Sequence, residues 1–148
     1  MEYLNLLVDT KKEFSTYLIN NLQTEINKGI SSIYNNCKKN IKNSNDLQLI
    51  LPIFQQFLSE IAKWNSNIIE NETIRIKTIM PYIEDLLTAV FISNMRLLCS
   101  IKTRNKKIKL KVPKLEVFIH KCYIEVAREL WLSTYLFEEN INKLKIQK

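Results

Sequence analysis

The chain has 148 residues, 46% of them hydrophobic, with one glycine, three prolines and a formal charge of +7. That length suits a single domain that can bury roughly 70% of its unfolded surface without metals or cross-links, and the scarcity of Gly and Pro removes the turns a sheet needs. Three well-separated cysteines, Cys37, Cys99 and Cys122, argue against a disulfide framework or zinc site; the longest apolar cluster, around 86–92, is too short to span a bilayer; and the opening residues lack the cationic and apolar regions of a leader.

The expectation is therefore one all-α domain over residues 1–148, a compact multi-helix bundle retained inside the cell, with no transmembrane segment. Taken in chain order, Leu4, Leu7, Val8, Phe14, Leu18, Leu22, Ile26, Ile30, Ile33, Cys37 and Ile41 recur at spacings of three and four, one face of a long amphipathic helix. Gly29, followed by Ser31 and Ser32, allows a break into two helices. Asn43, Ser44, Asn45 and Asp46 are turn chemistry and supply an N-cap. A second helix is expected from about Pro52 through Ile53, Phe57, Leu58, Ile61 and Trp64, interrupted by Asn65, Ser66 and Asn67. A third carries Ile68, Ile69, Ile76 and Ile79 up to Pro81, which kinks it or starts a fresh helix. A fourth, from Tyr82 to about Lys102, has so wide an apolar stripe that it reads as the most buried. Between 103 and 113 the period changes to two: Ile108, Leu110 and Val112 alternate with Lys107, Lys109 and Lys111, the pattern of a short basic extended or β-like arm joining the last two main helices. After Pro113, Leu115, Phe118, Ile119, Cys122, Val126 and Leu130 restore the helical period to about 133, and a short polar tail follows.

The charge is concentrated in one place. From 86 to 115 there are eight cations, Arg96, Lys102, Arg104, Lys106, Lys107, Lys109, Lys111 and Lys114, and no acid, whereas the other 14 cations are matched by 15 acids. These eight are the candidate partner- or phosphate-binding residues. Lysine dominance favours diffuse attraction to an acidic protein patch, an anionic lipid surface or phosphates over bidentate base reading, and an exposed lysine-rich strand can also pair with a partner's sheet edge. The bland alternative, a solvated edge, is about equally good on the pattern alone.

Catalytic chemistry finds little support. His120 is the one histidine; Cys122, two residues on, points to another helical face, and Glu116, one turn earlier, is its natural partner in a structural pair. Glu84 with Asp85 and Glu70 with Glu72 diverge on a helix and have no glycosidase or two-metal context. A single glycine excludes phosphate-cradling and dinucleotide loops. Trp64, Trp131, Tyr123 and Tyr135 fall at core-like spacings away from the basic segment, and Arg75 and Arg128 lie among acids as ordinary ion pairs. The reading is a non-enzymatic protein with no catalytic, cofactor or metal residues, no cofactor and no small-molecule substrate.

Trp64-Asn65, then Glu72-Thr73-x-Arg75-Ile76, the run Asp85-Leu86-Leu87-Thr88-Ala89-Val90-Phe91, and Phe118-Ile119-His120-Lys121-x-Tyr123 with Ala127-Arg128 resemble a helical family of nucleocytoplasmic large DNA viruses of the mimivirus and phycodnavirus kind. The likeness covers roughly the last two thirds of the chain, and a composition rich in Ile, Lys and Asn agrees with an AT-rich genome. The resemblance implies a virion or virus-factory component made in the host cytoplasm, such as a minor capsid-type protein, and assigns no active site. The expected function is that of a structural or interaction protein that docks through its basic arm on an acidic partner, or self-associates through its long first helix; the alternative is a nucleic-acid-binding accessory protein using the same lysines on phosphates.

Overall fold

In a computed structural model that describes residues 2–39, 47–101 and 111–133, the chain is all-α: α1 (Glu2–Lys39), α2 (Leu47–Glu60), a 3-10 turn (Ile61–Lys63), α3 (Ser66–Ile79), α4 (Ile83–Ile101) and α5 (Leu115–Leu132). No described residue is in a strand. The β-like arm falls mostly on 102–110, outside the described residues; its described end, Lys111 to Lys114, is irregular, and Lys114 is extended because it is the N-cap of α5. The turn expected at 43–46 and the polar tail from 134 also lie outside.

α1 runs unbroken through Gly29 for 38 residues, about 57 Å at 1.5 Å per residue. Its second half is the spine of the body: Leu18, Leu22, Ile26, Ile30, Tyr34 and Cys37 are buried at spacings of three and four, against Ile50, Phe54 and Leu58 of α2, Ile76 of α3 and Ile119 and Tyr123 of α5. Tyr34 meets Phe54 edge to face with ring centroids 5.2 Å apart.

The helix boundaries follow local chemistry. α2 starts upstream of Pro52, because the apolar run Leu47-Gln48-Leu49-Ile50-Leu51 already carries the helical pattern; Pro52 thus sits inside the helix, where its missing N–H leaves the Gln48 carbonyl without a helical donor. At the 3-10 turn, Trp64 N–H bonds the Ile61 carbonyl at 3.2 Å, and the backbone then extends. Asn65 caps α3, its side chain accepting from the Ile68 N–H at 2.9 Å. Pro81 ends that helix, and α4 begins two residues later. Within α3, Ile68 and Ile79 are exposed and Thr73 takes the buried position, its hydroxyl donating to the Ile69 carbonyl at 2.7 Å.

α4 is not the most buried helix. Its first turns bury Ile83, Leu86 and Leu87, but from Thr88 on only Ser93 is buried, and Ile101 is 59% exposed. α4 packs mainly on the first half of α1. Tyr17 of α1 touches Tyr82 just before α4, and Tyr3 shares a groove with Ile92, Met95, Arg96 and Cys99, so the two helices run antiparallel and project beyond the body. The broad stripe reflects a two-helix projection with apolar side chains on its flanks and no third layer among the described residues to cover them. Among the described residues no helix is long and apolar enough to cross a membrane.

Candidate functional site

The candidate binding residues divide into those the structure places and those it does not. Arg96 lies on the exposed face of α4 near its end, and Lys111 and Lys114 are exposed just before α5. Lys102, Arg104, Lys106, Lys107 and Lys109 are outside the described residues. Among the described residues none of the three placed cations is in a salt bridge. In the rest of the protein Lys28, Arg75, Lys77 and Arg128 each hold a carboxylate within 4 Å. The basic segment thus leaves α4 and enters α5 on cations facing solvent.

A second polar constellation lies inside the body, where α1, α3 and α5 meet. Arg75 of α3 is its centre. Its Nη1 donates to Glu25 Oε2 at 3.1 Å and its Nη2 to the Glu25 backbone carbonyl at 2.8 Å; its Nε and Nη2 also donate to the Glu72 carboxylate at 3.3 and 2.9 Å. Tyr123 of α5 donates a short hydrogen bond to Glu72 and stands 3.4 Å from Arg75 Nη2. Lys28, one turn from Glu25, donates to its other oxygen at 3.1 Å. Glu25 is 4% exposed and Tyr123 0%, so both sit where an unpaired polar group would cost several kcal/mol, roughly 2–7 for a neutral group alone. Two carboxylates and two cations balance the charge.

Gly29 makes this arrangement possible. A Cβ at that position would overlap the Tyr123 hydroxyl and stand 3.1 Å from Glu72 Oε2. The chain's one glycine is therefore a notch in α1 that receives the tip of Tyr123, and a sequence feature that suggested a helix break is instead a close approach between helices. Burial, reinforced by the Glu72 carboxylate, pushes the Tyr123 phenol well above its usual range, with Arg75 opposing. The Arg75 guanidinium is held still more firmly charged, chiefly by its bonds to Glu72. With Nε, Nη1 and Nη2 each already donating to protein acceptors, the cluster is a clamp across three helices rather than an open anion site.

Beside it, Trp64 stacks on His120 with centroids 6.2 Å apart and an interplanar angle of 12°, and tilts against Tyr123 at 4.9 Å. His120 Nε2 donates to the Ile61 carbonyl at 2.8 Å, which fixes that nitrogen as the protonated one. Its partner is the 3-10 turn and not Glu116. Cys122 is half-buried and its thiol is pushed up by burial. A shallow groove between α3 and α5 brings His120 near Glu70, Glu116 and Lys121, and among the described residues no three His, Cys, Asp or Glu side chains are grouped to hold a metal.

Sequence reasoning read Arg75 as an ordinary ion pair and left Glu25 unremarked. The signal was present: Glu25 falls between Leu22, Ile26 and Gly29 on the apolar face of α1, a position an acid occupies only if something neutralises it. What the sequence could not supply was the partner, 50 residues away. Trp64, Glu72, Arg75, His120 and Tyr123 meet in or beside this clamp.

The model of a family of unknown function (DUF5764) matches residues 4–138. Neither a curated protein nor a solved structure matches.

Proposed function

We propose that this chain, which belongs to the DUF5764 family, is a non-enzymatic structural or interaction protein whose clamped helical body presents the basic segment 96–114 to an acidic partner protein. One observation carries the reading: residues 86–115 hold eight cations and no acid, and the placed members, Arg96, Lys111 and Lys114, are exposed and form no salt bridge among the described residues. Eight like charges uninterrupted by an acid repel one another, and a partner of opposite sign relieves that repulsion. The resemblance to proteins of large DNA viruses makes this the role of a virion or virus-factory component, a minor capsid-type protein bound to a neighbour in the host cytoplasm.

Phosphate binding is the second reading, favoured by the same unbroken run of cations. The two separate in a titration of the whole chain with poly-glutamate and, in parallel, with duplex DNA, at about 50 and 200 mM salt. Wild type is compared with a variant carrying Lys106→Gln, Lys107→Gln, Lys109→Gln and Lys111→Gln. Binding of poly-glutamate that the variant loses supports protein docking. Tighter binding of DNA, with log affinity falling by about 0.9 per log unit of salt for each phosphate neutralised, transfers the segment to nucleic acid. Equal behaviour of wild type and variant on both probes sinks the segment as a binding site.

A further inference from the structure

The projection built by the first half of α1 and by α4 has a flank that no part of the described body covers. Tyr3, Leu6, Phe14 and Tyr17 of α1, with Tyr82 beside α4, are 36–64% exposed, and Ile92 and Met95 of α4 lie along the same groove. At about 200 Å² for a large side chain, those five leave on the order of 500 Å² in contact with water. That is more than half of the roughly 800 Å² that each partner contributes to a stable complex, and it lies in the upper part of the range of the largest apolar patch of a monomer, a patch that is often functional.

The charges at its ends select the occupant. On α4, Asp85 lies near the base of the projection and Arg96 near its tip, and Glu13 of α1 lies at the level of Asp85; all three are exposed, and none is in a salt bridge among the described residues. The midpoint of the projection falls between Val90 and Phe91 on α4 and at about Val8 and Asp9 on α1, as set by the Tyr17–Tyr82 and Tyr3–Arg96 neighbours. Asp85 and Arg96 are then each about 8 Å from it along the helix, at 1.5 Å per residue. A second copy of the chain laid across the flank on a two-fold axis through that midpoint brings base against tip. Each Arg96 comes level with Asp85 and Glu13 of the other copy, twice over, while the apolar rows close on each other. Asp9 and Glu13 stand beside Lys12 on this face, which gives DNA or an acidic protein less to bind than a second copy, whose Arg96 answers the acids.

We infer that two copies of this chain associate through the α1–α4 projection, with Leu6 near the centre, Tyr3 and Tyr17 toward the ends, and Arg96 against Asp85 and Glu13 at both ends, as an antiparallel four-helix bundle. Arg96 is the one cation this contact shares with the proposed partner-binding set, and the inference does not depend on what the lysines after it bind.

The test is sedimentation of the full chain from about 1 to 100 µM. Wild type is expected at twice its 17.6 kDa mass at the upper end. Leu6→Glu, on an exposed position that leaves the body intact, should raise the dissociation constant by tenfold or more, about 1.4 kcal/mol. Arg96→Glu should weaken the dimer as well, and adding Asp85→Arg to it should restore much of the loss, which a merely unfolded variant would not do. A monomer throughout the range overturns the inference, and so does growth beyond dimers, since a two-fold contact closes on itself. A dimer untouched by Leu6→Glu and by Arg96→Glu overturns it too.

Discussion

Gly29 sets how near α5 comes to α1, and two opposing effects meet there. In a helix interior Ala is favoured over Gly by about 1 kcal/mol, but a methyl group at this position overlaps the Tyr123 hydroxyl, and overpacking of a filled site costs roughly 1–3 kcal/mol. The steric effect wins, so Gly29→Ala is expected to lower the stability to urea by about 1–2 kcal/mol net. In a Tyr123→Phe background, with the offending oxygen gone, the same change should cost markedly less; equal costs in the two backgrounds would place the notch elsewhere. Arg75→Ala takes from the buried Glu25 its main partner, leaving it, among the described residues, only the exposed Lys28, and is expected to cost about 3 kcal/mol, whereas Arg128→Ala, at an exposed pair with Glu125, should fall within about 0.5 kcal/mol of wild type. The raised Tyr123 phenol gives a pH dependence of definite sign. A proton that the folded state holds more tightly than the unfolded chain stabilises the fold fully below the unfolded pKa and ceases to do so as pH rises above it, so stability should fall above about pH 10. Tyr123→Phe should flatten that decline, measured as unfolding free energy against pH from 9 to 11.

At the scale of elements, the start of α3 depends on one side chain. Asn65 accepts from the Ile68 N–H, and Asn65→Ala should cost about 1 kcal/mol while Asn65→Asp costs little, read from denaturation midpoints. This cap, the break at Pro81 and the long first helix were legible in the sequence because each rests on chemistry within a few residues. The start of α2 was not. Pro52 is at home in a first helical turn, and nothing local reveals that the apolar pattern upstream outweighs the hydrogen bond the proline forfeits. The depth of α4 was misjudged for a different reason. Residues 86–98 have the apolar content of a core helix, but burial is decided by which neighbours arrive, and among the described elements α1 is the one that packs along most of its length. The basic segment could be located from charge alone. The Arg75 clamp could not, since its acid Glu25 and its phenol Tyr123 come from opposite ends of the chain.

Over the whole molecule, stability is expected to be uneven. Leu87 is 2% exposed at the junction of projection and body, and Leu87→Ala should cost about 2–5 kcal/mol. Leu98, half-buried on the projection, should cost under about 1 kcal/mol on truncation in the dilute monomer, so calorimetry of the two variants maps where the core ends. The cysteines are distributed along the same gradient: Cys99 exposed toward the tip, Cys122 half-buried in α5, Cys37 1% exposed at the far end of α1. Burial pushes the thiols of Cys37 and Cys122 up, so the reactive thiolate is scarce where access is poorest. The natural chain thereby carries a graded set of chemical reporters. A maleimide should mark Cys99 within the mixing time, Cys122 on local opening and Cys37 only when the body unfolds, and a dye placed on Cys99 alone would watch the projection without any engineered residue.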